Sequence, residues 1–482
     1  MDRRRIGALV LAAGASERFG SVKALARLGG LPLLQRVLDT AAATGFGDVV
    51  VVLGDAAEEI EAAIAWRGER RVRNPDPGAG LSSSLRVGMA SLAEGTEAVL
   101  VLLGDQPLVR VQVIEVLLAA LGDCGRQVVA PRYAGGGGAN PVLIAREAWP
   151  LVLEAAGDRG LGPVLRAHPA LVHEVAVPGE NPDVDTPGDL AALEWGERVR
   201  ANREQVDRVR EVPDDEDFYA PLTHRFRDDP RRSDDDVLDV LRSLVRPGET
   251  WLDIGAGPGR FALPIALVAG EVIAVDASAG MLAALREGMA EHGIGNVRIV
   301  QGRWPLERGA PAGSGEPGSP GGWVAGPPAG ILADVALIAN VGYDIETIGP
   351  FLDAMEASAR RMCAAVLMDR QPASVAEQFW PAVHGEERAT LPGLAEFLDL
   401  LHARGASPSL VPLARPPRGF SSEEALVEFI RRQLWVAPGS AKDGRVRELI
   451  RGELVDRPGG VGLRNQRPSR VGVVRWDPRR EE

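Results

Sequence analysis

Two α/β domains of the Rossmann-like, doubly wound kind are predicted from this sequence of 482 residues. Short apolar runs alternate with amphipathic helical patterns from Ile6 to about Arg200, and a second such series opens at Thr250. Each series begins with a strand that runs directly into a loop of small residues, Gly14-Ala15-Ser16 in one and Gly255-Ala256-Gly257 in the other. Such alternation implies a mainly parallel sheet covered on both faces, with ligands at the carboxyl ends of its strands.

In the first series the strands are Ile6–Ala12, Val49–Leu53, Ala98–Leu103 and Gln127–Pro131, and helical patterns begin near Leu31, Glu58, Ser82 and Val111. Arg3, Arg4 and Arg5 before an apolar run, with Ala12, Ala13 and Ala15 after it, imitate a secretion signal. Glu17, Arg18 and Lys23 follow at once, and removing the segment would orphan the next βα pattern, so it is read as a strand. Near Trp195 the pattern changes to a charged stretch, Gly196–Arg210, and then to the acidic run Pro213–Asp217, which read as a solvated helix or linker. The predicted division is therefore residues 1–200, a charged linker at 201–211, and residues 212–482.

The second series has strands at Thr250–Gly255, Glu271–Asp276, Val297–Gln301, Ala333–Ala339 and Ala364–Asp369. Residues 309–330 are more than half Gly and Pro, and such a segment buries too little apolar surface to offset the entropy of ordering it. A disordered insertion is expected there. Helical patterns near Gly393–Ala403 and Ser421–Leu434 and a terminal strand, Val471–Trp476, complete the chain. The halves resemble each other in architecture only.

Composition narrows the function classes. A net charge of -13 argues against nucleic acid or an anionic membrane as partner, because phosphate-backbone binding needs clustered Lys and Arg. With 2 Cys the chain builds no disulfide framework and no Cys-based zinc site, and its 6 His show no ligand spacing. No apolar run is long enough to span a bilayer. A cytoplasmic enzyme acting on small-molecule substrates is the expectation.

The residues Gly14 to Lys23 carry the first chemistry. A loop of small residues exposes backbone N–H groups, and Arg18 and Lys23 set fixed positive charge beside them, as a polyphosphate requires. Asp105 follows the apolar strand Ala98–Leu103 in a turn, where a carboxylate can hold Mg²⁺ while the ion keeps several waters. Each has a plainer alternative. Asp105 before Pro107 is also an ordinary polar turn, Ser82–Ser84 an ordinary helix N-cap, and Asp158 an ordinary turn residue.

Taken together, LVLAAGASERFGSVK, the segment Asn74–Leu85, Gly104-Asp105-Gln106-Pro107, Asn140-Pro141-Val142-Leu143 with Asp158-Arg159-Gly160, and Asp183-Val184-Asp185-Thr186-Pro187 resemble, in order, the motifs of the MobA-like nucleotidyltransferases. The resemblance spans residues 6–193. It implies that Ala12, Ala13, Gly14, Ser16, Asn74, Gly80, Ser82 and Ser84 bind the nucleotide, and that Arg18, Lys23 and Asp105 are catalytic. It further implies that Asp105 and Asp185 hold Mg²⁺ and that Asn140 and Asp158 face the acceptor. An Ala-Ala-Gly loop like Ala12-Ala13-Gly14 is typical of family members that use CTP, which points to the molybdenum cofactor cytidylyltransferases and, among protein partners, to molybdenum hydroxylases. Ala139 stands before Asn140 where the family commonly has glycine, a departure on the acceptor side. A sugar phosphate or another phosphate is the alternative acceptor.

In the second half Trp251-Leu252-Asp253-Ile254-Gly255-Ala256-Gly257-Pro258-Gly259 resembles motif I of the class I S-adenosylmethionine-dependent methyltransferases, with Asp276 ending the next strand. Glycines let backbone approach a cofactor closely, and a carboxylate about twenty residues on suits ribose hydroxyls. The resemblance implies that Asp253, Gly255, Gly257, Asp276, Trp304 and Asn340 bind S-adenosyl-L-methionine. Trp304 would stack on the adenine or lie in the core, and Tyr343 and Asp344 would orient the methyl acceptor or form a turn. A regulatory S-adenosylmethionine-binding module without methyl transfer is the alternative for this half.

Overall fold

Alternating strands and helices build two seven-stranded sheets, one in each of two compact units that divide between Leu190 and Ala191. The computed structural model describes residues 2–123, 125–135, 138–213, 223–306, 330–371, 374–415, 417 and 419–479. Residues 309–329 of the expected insertion, Asp214–Asp217 and Cys124 lie outside the described residues.

The first unit has strands β1 Ile6–Ala12, β2 Asp48–Leu53, β3 Arg70–Arg73, β4 Ala98–Leu103, β5 Val128–Tyr133, β6 Val142–Ala145 and β7 Val172–Val177, in the sheet order β3-β2-β1-β4-β6-β5-β7. β1 is central and pairs in parallel with β2 and β4. Its near-continuous apolar run follows from burial on both faces: Ala8 and Val10 enter one core, Leu9 and Leu11 the other. β6 is the one strand of this sheet antiparallel to its neighbours, so the sheet is mixed. Leu11 sits opposite Leu103, so the turns after β1 and β4 open side by side at the sheet's carboxyl edge. Gly54 lies so close to the chain after β1 that a Cβ there would meet the Ala13 carbonyl oxygen at 2.5 Å.

The helix expected near Leu31 begins at Leu33, because Leu31–Pro32 pairs with Arg27–Leu28 as a two-residue ladder. The helix Leu81–Ala90 is capped by Gly80, not by a serine side chain; Ser83 Oγ instead donates to the Gly80 carbonyl at 2.8 Å.

The second unit has strands β8 Thr250–Ile254, β9 Glu271–Asp276, β10 Val297–Gln301, β11 Ala333–Ala339, β12 Ala359–Met368, β13 Ser409–Arg415 and β14 Ser469–Trp476, in the order β10-β9-β8-β11-β12-β14-β13. The first five pair in parallel; β14 runs antiparallel to β12 and β13. β13 contains Pro412, which an edge strand tolerates because one side of its backbone has no ladder partner. Between β12 and β14, the helices Glu423–Gln433 and Ala441–Glu453 share a separate apolar cluster with Trp380 and Phe379.

The charged stretch Gly196–Arg210, read as a solvated helix or linker, is helical, but it is not solvated all round. It lies in the helix Pro187–Val209, whose Trp195 and Val199 join the second unit's core. Trp195 Nε1 donates to the Ile345 carbonyl at 3.1 Å, and Gln205 exchanges two hydrogen bonds of 2.7 Å with the backbone of Glu387 and Ala389. Arg198 and Arg208 pair with Glu396 and Glu386. The division therefore falls before the charged residues, because a helix with one apolar stripe is amphipathic whatever the charge on its other face.

Candidate active sites

At the carboxyl edge of the first sheet, three segments far apart in sequence bring their charges together. Lys23 Nζ donates to Asp105 Oδ2 at 2.5 Å and to Asp185 Oδ1 at 3.0 Å. Arg18 Nη2 donates to Asp185 Oδ2 at 2.8 Å. The loop that supplies both cations is closed by Ser16, which holds φ +55° and whose Oγ accepts from the Lys23 amide at 3.1 Å. Its carbonyl accepts from the amides of Phe19 and Gly20. Ser16 thus sets where Lys23 begins, a positioning role that its small polar side chain permits.

These groups line a cavity of about 570 Å³ with Ala12, Ala13, Gly14, Gly80, Ser84 and Asp158. A Cβ on Gly14 would meet nothing within 4 Å, so no packing demand accounts for this glycine, and open space lies beside its backbone. At Gly80 the need is the opposite: φ is +90°, and a Cβ would lie 2.6 Å from the Gly157 carbonyl carbon. That close approach brings Asp158 Oδ1 to the Leu81 amide at 3.3 Å, on this side of the unit, while Asn140 lines an adjoining cavity of about 820 Å³ with Arg159 and Arg166. The two residues expected together on the acceptor side are thus split between two cavities, which share Leu11, Leu81 and Leu103.

Asn74 and Ser82 do not line either cavity as described. Asn74 is buried and donates to Ser83 Oγ at 2.7 Å and Ser84 Oγ at 2.9 Å, while its Oδ1 accepts from the Asp76 amide. It shapes the segment through which Gly80 and Ser84 reach the cavity. Ser82 is buried in the first turn of its helix. Their expected direct contact with nucleotide is corrected to support of the loop.

Asp183 escaped the sequence reading as a site residue. Its Oδ1 accepts from Gln106 Nε2 at 2.8 Å, and Asn181 Nδ2 donates to Gln106 Oε1 at 3.1 Å. Burial, and then the charge of Asp105, raise its pKa. The signal was present, because Asp183 stands two residues from Asp185 in one motif. Burial also acts to raise Asp185, but Lys23 and Arg18 outweigh it and hold the carboxyl below its ordinary value. Lys23 is the mirror case: burial opposes its charge, and Asp105 and Asp185 raise its pKa nonetheless.

Among the described residues no group of three or more His, Cys, Asp or Glu side chains forms a metal centre. Asp105 and Asp185 converge on one ammonium instead, so the protein supplies two carboxylates at most from this pair. That donor set suits Mg²⁺, which commonly binds one or two carboxylates and completes its shell with water and substrate phosphates.

The second unit's glycine loop is built differently. Gly255, Gly257 and Gly259 hold φ of +75°, +55° and +89°. The amides of Gly255 and Ala256 both donate to the Val275 carbonyl, tying the loop to the end of β9. Asp276, last residue of β9, accepts from the Gly257 amide through Oδ2 and from the Ser278 amide through Oδ1, each at 2.8 Å. A Cβ on Gly255 would lie 2.4 Å from Val341 Cγ2, whereas on Gly257 it would meet only Met281 sulfur at 4.0 Å. Packing demands the first glycine; open space surrounds the second.

Beneath the loop Asp253 is 2% exposed, and its Oδ1 has no hydrogen-bond partner among the described residues. Burial, then the neighbouring charge of Asp276, push its pKa up to about 7 against the pull of the Ala262 amide. Asn340 is exposed at the end of β11 with φ +57°, its amide donating to the Val366 carbonyl at 2.8 Å. Trp304 is a correction. It is buried in the core, and its Nε1 donates to the Phe351 carbonyl at 3.3 Å, so its indole is not presented for stacking on a cofactor. Tyr343 is buried as well, its hydroxyl accepting from the Met368 amide at 2.6 Å, and it braces β11 against β12. Asp344 is exposed.

A cation-flanked glycine loop facing paired carboxylates marks one α/β unit, and a glycine loop clasped by an aspartate marks the other, the arrangement of a two-unit transferase. The chain joins a MobA-like NTP transferase domain, matched over residues 8–172, to a methyltransferase domain, matched over residues 252–310. It is 35% identical over 130 residues to the bifunctional protein GlmU of Sorangium cellulosum, covering 26% of this chain and 28% of that protein. Over 98 residues it is 43% identical to the bifunctional IPC transferase and DIPP synthase of Rubrobacter xylanophilus, covering 19% and 22%. The chain thus spans about a quarter of the length of these curated relatives. The crystal structure of a Mycobacterium tuberculosis rv0371c homolog from mycobacterium sp. strain JC1 is 33% identical, covering 40% of this chain and 96% of that one with a TM-score of 0.37. No described helix is long and apolar enough to cross a membrane.

Proposed function

We propose that the first unit transfers a cytidylyl group from CTP to a phosphate monoester, the molybdopterin of the molybdenum cofactor, with release of pyrophosphate, and that the second transfers a methyl group from S-adenosylmethionine. The observation that carries the first half is the bridge from Lys23 to both Asp105 and Asp185, with Arg18 on the same carboxylate, at the mouth of the Gly14 loop. In the reaction an oxygen of the acceptor phosphate bonds to the α-phosphorus as the bond from the α-phosphorus to the oxygen bridging to the β-phosphate breaks. Transfer of this kind depends on alignment and on compensation of charge building on the leaving pyrophosphate.

Lys23 and Arg18 supply fixed compensation, and the loop around Gly14 offers backbone to the phosphates. Asp105 and Asp185 would hold Mg²⁺, which supplies further positive charge to the phosphates when bound. An acceptor phosphate is already ionised, so no side chain is required as general base. The adjoining cavity, with Asn140, Arg159 and Arg166, is the place for the acceptor body.

In the second unit the support is the unpartnered Oδ1 of Asp253 and the open space at Gly257, which suit a polar cofactor lying across the loop. Asp276 would present its carboxylate to ribose hydroxyls. Cytoplasmic location and hand-over to molybdenum hydroxylases belong to the same proposal.

The test is a panel of CTP, GTP, UTP and ATP with Mg²⁺, assayed for pyrophosphate with molybdopterin or with sugar phosphates as acceptor. CTP with molybdopterin is expected to lead. A faster reaction with a sugar phosphate would retain the reaction class and replace the acceptor.

A further inference from the structure

We propose that Lys23 holds the divalent-cation place closed in the nucleotide-free protein and that the triphosphate opens it. The inference rests on the nucleotidyl-transfer reading and adds an order of events: the cation enters with the nucleotide, not ahead of it.

The Lys23 ammonium lies 2.5 Å from Asp105 Oδ2 and 3.0 Å from Asp185 Oδ1, so one positive charge already links the two carboxylates. Arg18 engages the other oxygen of Asp185, and the Asp185 amide is itself tied to Asp189 Oδ2 at 3.0 Å. Both oxygens of that carboxylate are therefore taken by cations. A divalent ion needs oxygens at roughly 2.0–2.1 Å if it is Mg²⁺. To bridge the same pair it must take the ammonium's place, because two cations in that space repel each other strongly at reduced dielectric.

The lysine is suited to leaving. Its ammonium is a compact point charge on a flexible four-carbon stem, and its hydrogen bonds rotate freely to new acceptors. Its backbone stays where it is: the amide donates to Ser16 Oγ, and the carbonyl accepts from the Ala26 amide at 3.0 Å. The movement is thus confined to the side chain. A triphosphate arriving at the Gly14 loop brings several negative charges to the end of the loop where Lys23 and Arg18 stand, and offers both a competing set of oxygens. Once the ammonium turns to the phosphates, Asp105 loses its cation and Asp185 keeps at most Arg18, and a divalent cation relieves the repulsion between the two carboxylates.

The experiment measures Mn²⁺ binding to the full chain by the electron paramagnetic resonance of free Mn²⁺, with and without CTP. In the unaltered protein CTP is expected to tighten Mn²⁺ binding at least tenfold. Lys23→Met is expected to bind Mn²⁺ at least tenfold more tightly than the unaltered protein when CTP is absent, and to gain little more from CTP. Lys23→Arg keeps the charge and is expected to retain the weak nucleotide-free binding. Adding Asp105→Asn to Lys23→Met is expected to abolish the gain, which places the ion. Should Lys23→Met fail to fold by circular dichroism, Lys23→Gln carries the same expectation. Equal Mn²⁺ affinity of the neutral variant and the unaltered protein without CTP overturns the proposal, as does an affinity of the unaltered protein that CTP leaves unchanged. Absence of Mn²⁺ binding in every variant even with CTP overturns the nucleotidyl-transfer reading as well.

Discussion

The two glycine loops of this chain are built on the same scaffold and treat charge in opposite ways. Around Gly14 the neighbours are cations, Arg18 and Lys23, reaching toward carboxylates that other strands supply. Around Gly257 the neighbours are carboxylates: Asp276 clasps the loop's amide, and Asp253 lies buried below it. The first loop thus carries cations that carboxylates already pair, and the second a carboxylate that backbone amides engage. The same strand-to-loop geometry therefore carries opposite side-chain charge in the two units, and on the proposed reading that sign, not the backbone, separates their ligands.

The sharpest break between the two is expected from Asp105→Ala. Loss of a carboxylate that holds the ion and anchors Lys23 should lower pyrophosphate release at least ~10³-fold. Calorimetric binding of S-adenosylmethionine should stay unchanged. Asp276→Ala is the converse. It removes the acceptor of the Gly257 and Ser278 amides, and two such charge-assisted bonds should cost about 3 kcal/mol, or roughly a hundredfold in S-adenosylmethionine affinity. Pyrophosphate release from CTP should be retained. If either variant damages both activities alike, the separation of the sites is wrong.

A different kind of effect is expected from Asp253→Asn, read through pH. With its pKa raised from 3.8 to about 7, the folded protein holds a proton that the unfolded chain has released. Stability of the second unit therefore falls as pH rises through that window, by at most about 1.4 kcal/mol per unit, and levels off above it. The asparagine variant should abolish this slope and unfold at a higher temperature than the unaltered chain at pH 8. The two should differ little near pH 4. A slope that survives the substitution assigns the proton elsewhere.

The smallest contrast lies in the glycines themselves. Gly14→Ala meets open space and should leave the melting temperature within about 1 °C while weakening CTP binding, whereas Gly257→Ala forces a side chain onto a left-handed backbone and should cost about 1 kcal/mol. Thermal melts paired with ligand titrations distinguish them.

Much of this was legible in the sequence, for identifiable reasons. The central strand Ile6–Ala12 is buried on both faces and shows as an unbroken run without a polar side chain, and Thr250–Ile254 is as buried but interrupted by Asp253. Both glycine loops follow them directly, and Asp105 follows the apolar run Ala98–Leu103, so these residues could be named. Edge strands were harder. Arg70–Arg73 carries three arginines and pairs on one side only, and Ser409–Arg415 contains a proline, so neither has the pattern of a buried strand. The burial of the helix Pro187–Val209 was obscured by its charge, although Trp195, Val199 and Val206 at spacings of four and seven mark its buried side.

Within the sites, residue type was legible and direction was not. Asn74, Ser82, Trp304 and Tyr343 all stand in segments that border a site, yet all four are buried, and hydrogen bonds within the protein hold Asn74, Trp304 and Tyr343. Only packing decides which way such a side chain points. Asp183 was overlooked for the related reason that its tie to Gln106 is made across two loops separated by 77 residues.

The most direct measurement is a crystal structure with Mn²⁺ and the non-hydrolysable α,β-methylene analogue of CTP, with the metal located by its anomalous signal. The expected result is one Mn²⁺ on Asp105 and Asp185, phosphate oxygens on Lys23 and Arg18, and the nucleotide across the Gly14 loop. A nucleotide bound away from that loop, or an ion that touches neither aspartate, would contradict the account.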